Sequence, residues 1–497
     1  SSQAGYQLWS DNYGATGGGG NVFAFENPAN WSTAEGEPAP PAFNTLWQGE
    51  NNQEDIILVL TDERSGENGT EKLGTFTFGG ESGTNDFNSK FTFIINNSVT
   101  YTAQETDGGV IDPPGTRSIR IGRENINPLG TLAGGTTETA PWGIVKVQHG
   151  TFKYDDTLTN GIDMSRDKPN AAGAIFEVNG DGVLDIEGPV RFGDRDNGGV
   201  RSTPGAIFRM RGSNASAQVE DFLNESRLGL WDHDNDITAD NPFGVTHMNL
   251  GKFVTEFVLD AGGASTIVVN DELRLGRSED LDATREFGYA FLRIKLSEPT
   301  TAGSGAVGSG NEIVLFQADR VSSAIDADND PNTTIEIEEG RFFDPDRAGF
   351  NSSGTSMLPH AGLWDGGTVR ADYAGAQYQW TINYFDSSDD GIVIDAVTLS
   401  NLQIVGTPGD LSGNSSLGSE DRQLLVDAIA SPPEIAIATA QNLFDLNADE
   451  VVDALDLAVF DAYFPGLGLT ASVSAPEPAS ASLLALALLS IGVRRRY

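Results

Sequence analysis

The sequence predicts a mainly β protein, with a stacked β-helix or solenoid as the first choice of fold and a β-sandwich as the alternative. Glycine is abundant, at 59 of 497 residues, and short apolar–polar alternations are separated by clusters of Gly, Asn and Asp. Such alternation is typical of strands, and such clusters are typical of tight turns. We divide the chain into a β-rich body (1–404), a small helical module (405–468) and a C-terminal tail with an apolar helix (469–497).

Two short segments recur within the body. One places an arginine between apolar residues before a glycine, and its copies are residues 119–123, 190–194 and 273–277, with a looser copy at 227–229. The other is Gly-Ala-Ile-Phe, at 173–176 and 205–208, and residues 257–260 take a similar place before the last arginine copy. Unequal spacing between copies is typical of a solenoid, because insertions bulge from its turns while the units stack. We expect the arginines to face solvent.

The two ends of the body carry a further pattern. Trp9 is followed by NPANW at 27–31, and Gly-rich and aromatic segments occur at 362–369, 378–384 and 389–394. These segments resemble the opening and closing turns of bacterial autotransporter-like β-repeat proteins. The resemblance implies an extracellular β-helix over most of the body and no particular chemistry.

Charge and composition exclude several functions. The net charge is −42, from 30 basic and 72 acidic residues, so neither nucleic acid nor an anionic lipid surface is an expected partner. The chain has no cysteine, which excludes thiol nucleophiles, zinc–thiolate sites, iron–sulfur clusters and disulfides. Many Asp residues beside only four His and four Met favour a hard cation with oxygen ligands, Ca²⁺.

Two twelve-residue segments have the ligand spacing of a calcium loop. We call residues 410–421 the first loop and residues 445–456 the second loop. Alternate residues of such a loop point toward one ion. The predicted Ca²⁺ ligands are Asp410, Ser412, Asn414, the Ser416 carbonyl and Asp421 in the first loop, and Asp445, Asn447, Asp449, the Val451 carbonyl, Asp453 and Asp456 in the second. The second loop has four carboxylates where the first has two, so we expect it to bind Ca²⁺ first.

Each loop is followed by an amphipathic helical pattern, over 422–430 and 455–464. Two such units in a row resemble a type I dockerin module, which implies paired calcium loops. Position 6 departs from that family, because Ser415 and Glu450 stand where glycine is usual. A positive φ there would cost about 1 kcal/mol in each loop. Positions 10 and 11 also lack the Ser-Thr pair that dockerins often present to a cohesin, so the resemblance supports calcium binding and leaves the cohesin partner in doubt.

The tail combines three features in order. Pro476-Glu477-Pro478 precedes a charge-free apolar run at 479–493, and three arginines follow at 494–496. This order resembles the PEP-CTERM sorting signal of exported bacterial proteins. It implies transient anchoring in the inner membrane until a membrane protease of the exosortase class removes the tail. An ordinary C-terminal anchor or a buried apolar helix is the alternative. Because the chain begins at Ser1, we also expect that a signal peptide has been removed.

The remaining motifs are weaker. Residues 232–236 and 326–330 read D-x-D-x-D and are expected to be solvated turns more readily than calcium sites, and residues 179–182 predict a tight turn between strands. The chain has no G-x-S-x-G elbow and four His in unrelated contexts. A carboxylate pair for glycoside hydrolysis cannot be selected among 72 acids.

These observations predict an exported cell-surface or extracellular-matrix protein with a structural or adhesive role, stabilised by Ca²⁺ and associated with exopolysaccharide. Its expected partners are polysaccharide, other matrix proteins or further copies of the chain. The alternative is a polysaccharide lyase or glycoside hydrolase on a β-helix, and a third class is a sugar-binding module.

Overall fold

The computed structural model describes a large part of the chain, and all structural findings concern that part. The described residues are 6–8, 22–24, 31–33, 47–49, 56–60, 64–67, 77–78, 90–102, 119–121, 142–155, 162–164, 173–192, 206–224, 253–275, 290–322, 342–346, 362–385, 395–433, 435 and 439–464.

The described residues form strands over most of the body and two helices at the end. In chain order, the elements are β1 (Tyr6–Leu8), β2 (Val22–Ala24), β3 (Trp31–Thr33), β4 (Trp47–Gly49), β5 (Ile56–Leu60), β6 (Arg64–Glu67), β7 (Thr77–Phe78), β8 (Lys90–Ile95), β9 (Val99–Thr102), β10 (Ile119–Ile121), β11 (Trp142–Val147), β12 (Thr151–Asp155), β13 (Ile162–Met164), β14 (Gly173–Val178), β15 (Val183–Phe192), β16 (Ala206–Arg211), β17 (Ser216–Asn224), β18 (Phe253–Leu259), β19 (Ile267–Leu275), β20 (Ala290–Leu296), β21 (Ile313–Ser322), β22 (Phe342–Phe343), β23 (Gly362–Leu363), β24 (Thr368–Tyr373), β25 (Ala376–Phe385), β26 (Ala396–Val405), α1 (Ser419–Ala430) and α2 (Ala454–Tyr463).

Most strands belong to two large sheets, and successive segments of the chain alternate between them. Sheet I has the order β2-β5-β8-β11-β14-β16-β18-β20-β22-β23. Sheet II has the order β6-β9-β12-β15-β17-β19-β21-β26-β25-β24, with β7, β10 and β13 pairing beside it, and β3, β1 and β4 form a third, small sheet. From β5 to β21 every described pairing within the two large sheets is parallel. The prediction of a mainly β protein is therefore confirmed, with sheets rich in parallel strands.

Inward-facing side chains of the two sheets form one apolar core. Alternate residues of each strand point inward, so one side chain from each strand stacks on its counterpart in the next strand. The ring of Phe208 stacks on that of Phe176, with 5.8 Å between centroids, and meets the edge of the Phe222 ring at 5.2 Å. All three are fully buried. A Phe-to-Ala change at such a position typically costs about 3–5 kcal/mol, which shows how strongly the stack depends on these rows.

The strand register confirms that the recurring segments stack on one another. Ala174, Ile175 and Phe176 pair with Ala206, Ile207 and Phe208. Residues 257–260 lie on or next to β18, the next strand of sheet I, but they stand further along the chain than the Gly-Ala-Ile-Phe copies, because Ala206 pairs with Phe253. Apolar residues are frequent along all of β18, so composition alone could not fix its register.

The arginine copies also lie in one row, on sheet II. Arg120 pairs with Asp163, which pairs with Arg191, and Leu223 then stands between Arg191 and Arg274. The strands that carry Asp163 and Leu223 therefore belong to the same row, although they lack the arginine that marked the motif. The looser copy at 227–229 lies outside the described residues.

Glycine allows the tight turns that connect one sheet to the other. Gly150 has φ +76°, and a Cβ at this position would lie 2.6 Å from the carbonyl carbon of Asn97 in the preceding turn. The predicted turn at 179–182 is confirmed, because the amide of Gly182 donates to the carbonyl of Asn179 at 2.9 Å. Successive corners thus approach closely enough to stack.

The parallel arrangement ends in an antiparallel meander. Strand β26 runs antiparallel to β21, and β25 and β24 follow it in the same manner. Of the segments that resemble closing turns, residues 368–369 and 378–384 lie in this meander, on β24 and β25, whereas residues 362–363 form β23, which pairs antiparallel with β22 in sheet I. Trp380 is buried in the meander, and its indole N–H donates to the carbonyl of Ala302 at 3.0 Å. The run of parallel pairing in sheet II therefore stops at β21, and β24 forms an antiparallel edge at this end. Residues 389–394 lie outside the described residues.

The two predicted helices are present and begin in the calcium-type loops. Asp453 caps α2 by accepting the amide of Leu455 at 2.7 Å. Arg422 of α1 joins Asp461 of α2 through hydrogen bonds of 2.7 and 2.8 Å. In the parts of the chain that the structure describes, no helix is both long and apolar enough to cross a membrane. The tail (469–497), its predicted apolar helix and both D-x-D-x-D segments lie outside those parts.

Candidate calcium loops and their contact with the sheet

Both loops fold around the carboxylate at their first position. In the first loop, Asp410 accepts the backbone amides of Asn414 and Ser415 at 3.0 and 2.6 Å. The second loop repeats this arrangement, because its Asp445 accepts the amides of Asp449 and Glu450 at 3.0 and 3.1 Å. The donors occupy positions 5 and 6 in both cases, so the two loops share one conformation although their side chains differ.

The carboxylate at position 12 closes each loop from the helix side. Asp421 accepts the amides of Ser412 and Gly418 at 2.8 and 2.7 Å. In the second loop, Asp456 accepts the amides of Leu446 and Asn447 at 2.6 and 3.2 Å and that of Asp453 at 2.8 Å. The first and last aspartates of both loops are buried. The sequence pattern therefore corresponds to a real pair of folded loops.

The backbone adopts the left-handed conformation at position 6 of both loops and also at position 4. At position 6, φ is +67° at Ser415 and +71° at Glu450. At position 4, it is +71° at Gly413 and +56° at Ala448. The predicted departure from glycine at position 6 is thus a strained one, at a cost of about 1 kcal/mol for each residue.

The remaining predicted ligands lie in the same loops and contact one another. Ser412 donates its hydroxyl to Asp410 at 3.1 Å, and Ser416 donates its amide to the Asn414 side chain at 2.8 Å. In the second loop the Asn447 amide group donates to Asp449 at 2.9 Å, and Val451 donates its backbone amide to the other oxygen of Asp449 at 2.9 Å.

Burial makes three carboxylates of the second loop, those of Asp445, Asp449 and Asp456, hard to ionise. Burial, together with the charge of Asp449, raises the pKa of Asp445 to about 6. Burial also raises the pKa of Asp456 to about 7 and raises that of Asp449. A divalent cation would reverse this preference, because it stabilises the ionised form.

The donor set of the loops suits Ca²⁺. Within the described residues, no three side chains of the types His, Cys, Asp and Glu converge into a metal centre by themselves. A calcium loop also draws on amide, hydroxyl and main-chain oxygens, which both loops carry. The shared backbone conformation and the buried aspartates fit a calcium loop in its general form.

The outer face of sheet I carries a row of charges that alternate in sign. The row runs Lys146, Glu177, Arg209, Glu256 and Arg293, one residue from each of five neighbouring strands in register. Arg209 contacts Glu177 at 3.1 Å and Glu256 at 2.5 Å. Arg293 continues the row to Glu256 at 3.4 Å and to Asp346 at 2.7 Å. We call these five residues the charge ladder.

Four of the five residues of the charge ladder are buried, although the ladder lies on the outside of the sheet. Glu177, Arg209, Glu256 and Arg293 are each at most 4% exposed. Burial would raise the pKa of Glu256, but Arg209, Lys295 and Arg293 outweigh that effect and lower it to about 2. The pKa of Glu177 is likewise held below its usual range, because the nearby cations outweigh its burial. Both acids are therefore ionised and fully paired.

The second loop covers part of this face. Glu450 reaches Arg209 at 2.5 Å and Lys295 at 3.7 Å. Arg211 donates to the carbonyl of Asn447 at 2.8 Å and also to the carbonyl of Ala448. The module thus docks in cis on the body through the loop that carries more predicted ligands.

Further contacts extend the interface on both sides. The Gln441 side chain donates to the carbonyl of Leu296 at 2.7 Å and accepts its amide at 2.9 Å, which imitates a neighbouring strand. Tyr463 of α2 hydrogen-bonds to Glu298. At Gly375, with φ +82°, a Cβ would lie 1.9 Å from the carbonyl oxygen of Asp410, so only glycine admits the first loop there.

Sequence reasoning missed this interface. Arg209, Arg211 and Lys295 were not singled out, and Glu450 was noted only as a departure from glycine. That departure from glycine was a signal in the sequence, but it did not identify a partner for the side chain. Comparisons with protein-family models, with curated proteins and with solved structures find no match to the chain.

Proposed function

We propose that the protein is an exported structural or adhesive component of a cell surface or extracellular matrix, associated with exopolysaccharide and stabilised by Ca²⁺. In this proposal the two parallel sheets form a β-solenoid, residues 1–404 are the body, and 405–468 are a dockerin-like module that closes its side. The observation that carries the proposal is the docking of the second loop on the buried charge ladder, because it makes the module a fixed part of the body.

Ca²⁺ would be held by the predicted oxygens of each loop. The first loop offers Asp410, Ser412, Asn414, the Ser416 carbonyl and Asp421, and the second offers Asp445, Asn447, Asp449, the Val451 carbonyl, Asp453 and Asp456. When bound, the ion supplies charge compensation and cross-links a loop to its helix. The buried aspartates at positions 1 and 12 support this role.

The two carboxylates of the charge ladder favour a structural role over polysaccharide cleavage. Glu177 and Glu256 approach the same arginine, but both are buried and held as ions by cations. A general acid needs a raised pKa and access to a glycosidic oxygen. These two acids have neither property.

The proposed location follows from the tail. The Pro-Glu-Pro segment with its apolar run and three arginines supports transient anchoring in the inner membrane, followed by removal of the tail by a membrane protease. Polysaccharide, other matrix proteins and further copies of the chain are the proposed partners.

The test uses the full chain with a panel of neutral and acidic polysaccharides, with and without Ca²⁺. We expect Ca²⁺ to raise the melting temperature, and we expect binding to at least one polysaccharide without new reducing ends or unsaturated uronates. Sustained turnover that disappears when one carboxylate is replaced would establish the lyase or hydrolase alternative. An unchanged melting temperature at millimolar Ca²⁺ would reject the calcium role.

A further inference from the structure

We propose that Glu450 and Arg211 couple Ca²⁺ binding in the second loop to the docking of the module on sheet I. The inference rests on the proposed calcium role and adds a specific claim to it. Contacts with the face of sheet I strengthen Ca²⁺ binding in the second loop, and bound Ca²⁺ in turn strengthens the docking of the module on the body. Within the part of the chain that the structure describes, the first loop has no equivalent of the Glu450 contact, which makes it an internal reference.

The first step in the argument is the contrast between the two residues at position 6. Ser415 and Glu450 have nearly the same positive φ, +67° and +71°. Ser415 is exposed, whereas the Glu450 side chain is 12% exposed and lies against Arg209 and Lys295. The same backbone strain is therefore accompanied by a buried ion pair in the second loop alone. That ion pair gives the strained conformation at Glu450 a stabilising partner on the sheet.

The second step concerns the charge of the sheet face. Among the side chains that the structure describes, this face without the module presents five cations beside three carboxylates. They are Lys146, Arg209, Arg211, Arg293 and Lys295, beside Glu177, Glu256 and Asp346. Glu450 supplies a further carboxylate in direct contact with two of the cations. If the module undocked, those two cations would lose this carboxylate, and the Glu450 carboxylate would lose both of its cationic partners.

The third step concerns the backbone that carries the predicted ligands. Arg211 donates to the carbonyls of Asn447 and Ala448, which lie directly before Asp449. These bonds fix the segment between two predicted ligands, Asn447 and Asp449. A ligand set that is already positioned loses less conformational freedom when the ion binds. By thermodynamic linkage, any gain in Ca²⁺ affinity from docking equals the gain in docking from Ca²⁺.

The experiment measures Ca²⁺ affinity in the full chain by isothermal titration calorimetry, one loop at a time. Asp410→Asn silences the first loop and Asp445→Asn silences the second. Glu450→Gln and Arg211→Gln are then introduced into each background. We expect both changes to weaken Ca²⁺ binding in the second loop by about 5- to 150-fold, the usual range of coupling between sites. Binding in the first loop should stay within twofold.

Matched glycine substitutions separate coupling from backbone strain. Ser415→Gly and Glu450→Gly both relieve a positive φ. If each loop acted alone, both changes would strengthen binding. Coupling predicts a stronger or unchanged first loop with Ser415→Gly and a weaker second loop with Glu450→Gly.

Hydrogen exchange reports docking independently of affinity. The Leu296 amide donates to Gln441 across the interface, so Ca²⁺ should slow its exchange in the parent chain and slow it less in the Glu450→Gln variant. Equal Ca²⁺ affinity and equal exchange in parent and variants would overturn the coupling while leaving the calcium role intact. Failure of the parent chain to bind Ca²⁺ at either loop would reject the calcium role itself, and the coupling with it.

Discussion

Replacing Glu256 with Gln should destabilise the body strongly, because this carboxylate stands among three cations. Its oxygens lie 2.5 Å from Arg209, 3.4 Å from Arg293 and 3.3 Å from Lys295. The side chain is 0% exposed. Glutamine keeps the size of the side chain and one acceptor oxygen but removes the negative charge.

The size of the expected loss in stability depends on which carboxylates each cation still contacts after the substitution. Arg209 keeps Glu177 and Glu450, and Arg293 keeps Asp346. Lys295 keeps Glu450 at 3.7 Å as its remaining described partner. Breaking a buried ion pair from one side costs about 3–5 kcal/mol. Because each cation keeps at least one carboxylate, we expect a loss in unfolding free energy near the lower end of this range, at about 3 kcal/mol.

The assay is denaturant unfolding of the full chain. The measured quantity is the shift in the midpoint of the first unfolding transition, the one that begins from the native state. Glu220→Gln is the control, because Glu220 is an exposed acid on sheet II and should change stability by less than about 0.5 kcal/mol. Adding Lys295→Met to Glu256→Gln should recover part of the loss, since it removes the cation left with the weakest partner. If Glu256→Gln matched Glu220→Gln, the charge ladder would not be a stabilising element.

Two further predictions follow from the ladder and the tail. Stability should fall as the pH drops from about 4.3, the usual pKa of an unfolded glutamate, toward 2. In the folded chain, the pKa of Glu256 is lowered to about 2, and the pKa values of Glu177 and Glu450 are also lowered. As the pH falls, the unfolded chain therefore takes up protons before the folded chain does. Melting curves at pH 5, 4 and 3 measure the loss of stability, and Glu256→Gln should make the melting temperature depend less on pH. In the native host, mass spectrometry of the surface form should find a C-terminus near residues 476–478 without the arginines at 494–496, and an intact C-terminus would instead make the tail a permanent anchor.

The sequence by itself determined the local features of this protein. Alternating short segments predicted a mainly β body, and the two Asp-rich loops with their helices were placed within a few residues. These features depend on neighbouring residues, since alternation, turn glycines and helix caps all act over a few positions. The same locality explains why the Gly-Ala-Ile-Phe copies were matched correctly.

Only the tertiary structure decided the register and the interface. The pairing of Ala206 with Phe253, rather than with a residue of 257–260, depends on how whole strands align, and the antiparallel return of β26 depends on the end of the stack. The contact between Arg209 and Glu450 joins residues 241 positions apart. Many charges in the chain could have paired with either residue, so no local pattern selects this pair. It forms because the sheet brings Arg209 to one face and the left-handed backbone turns Glu450 toward that face.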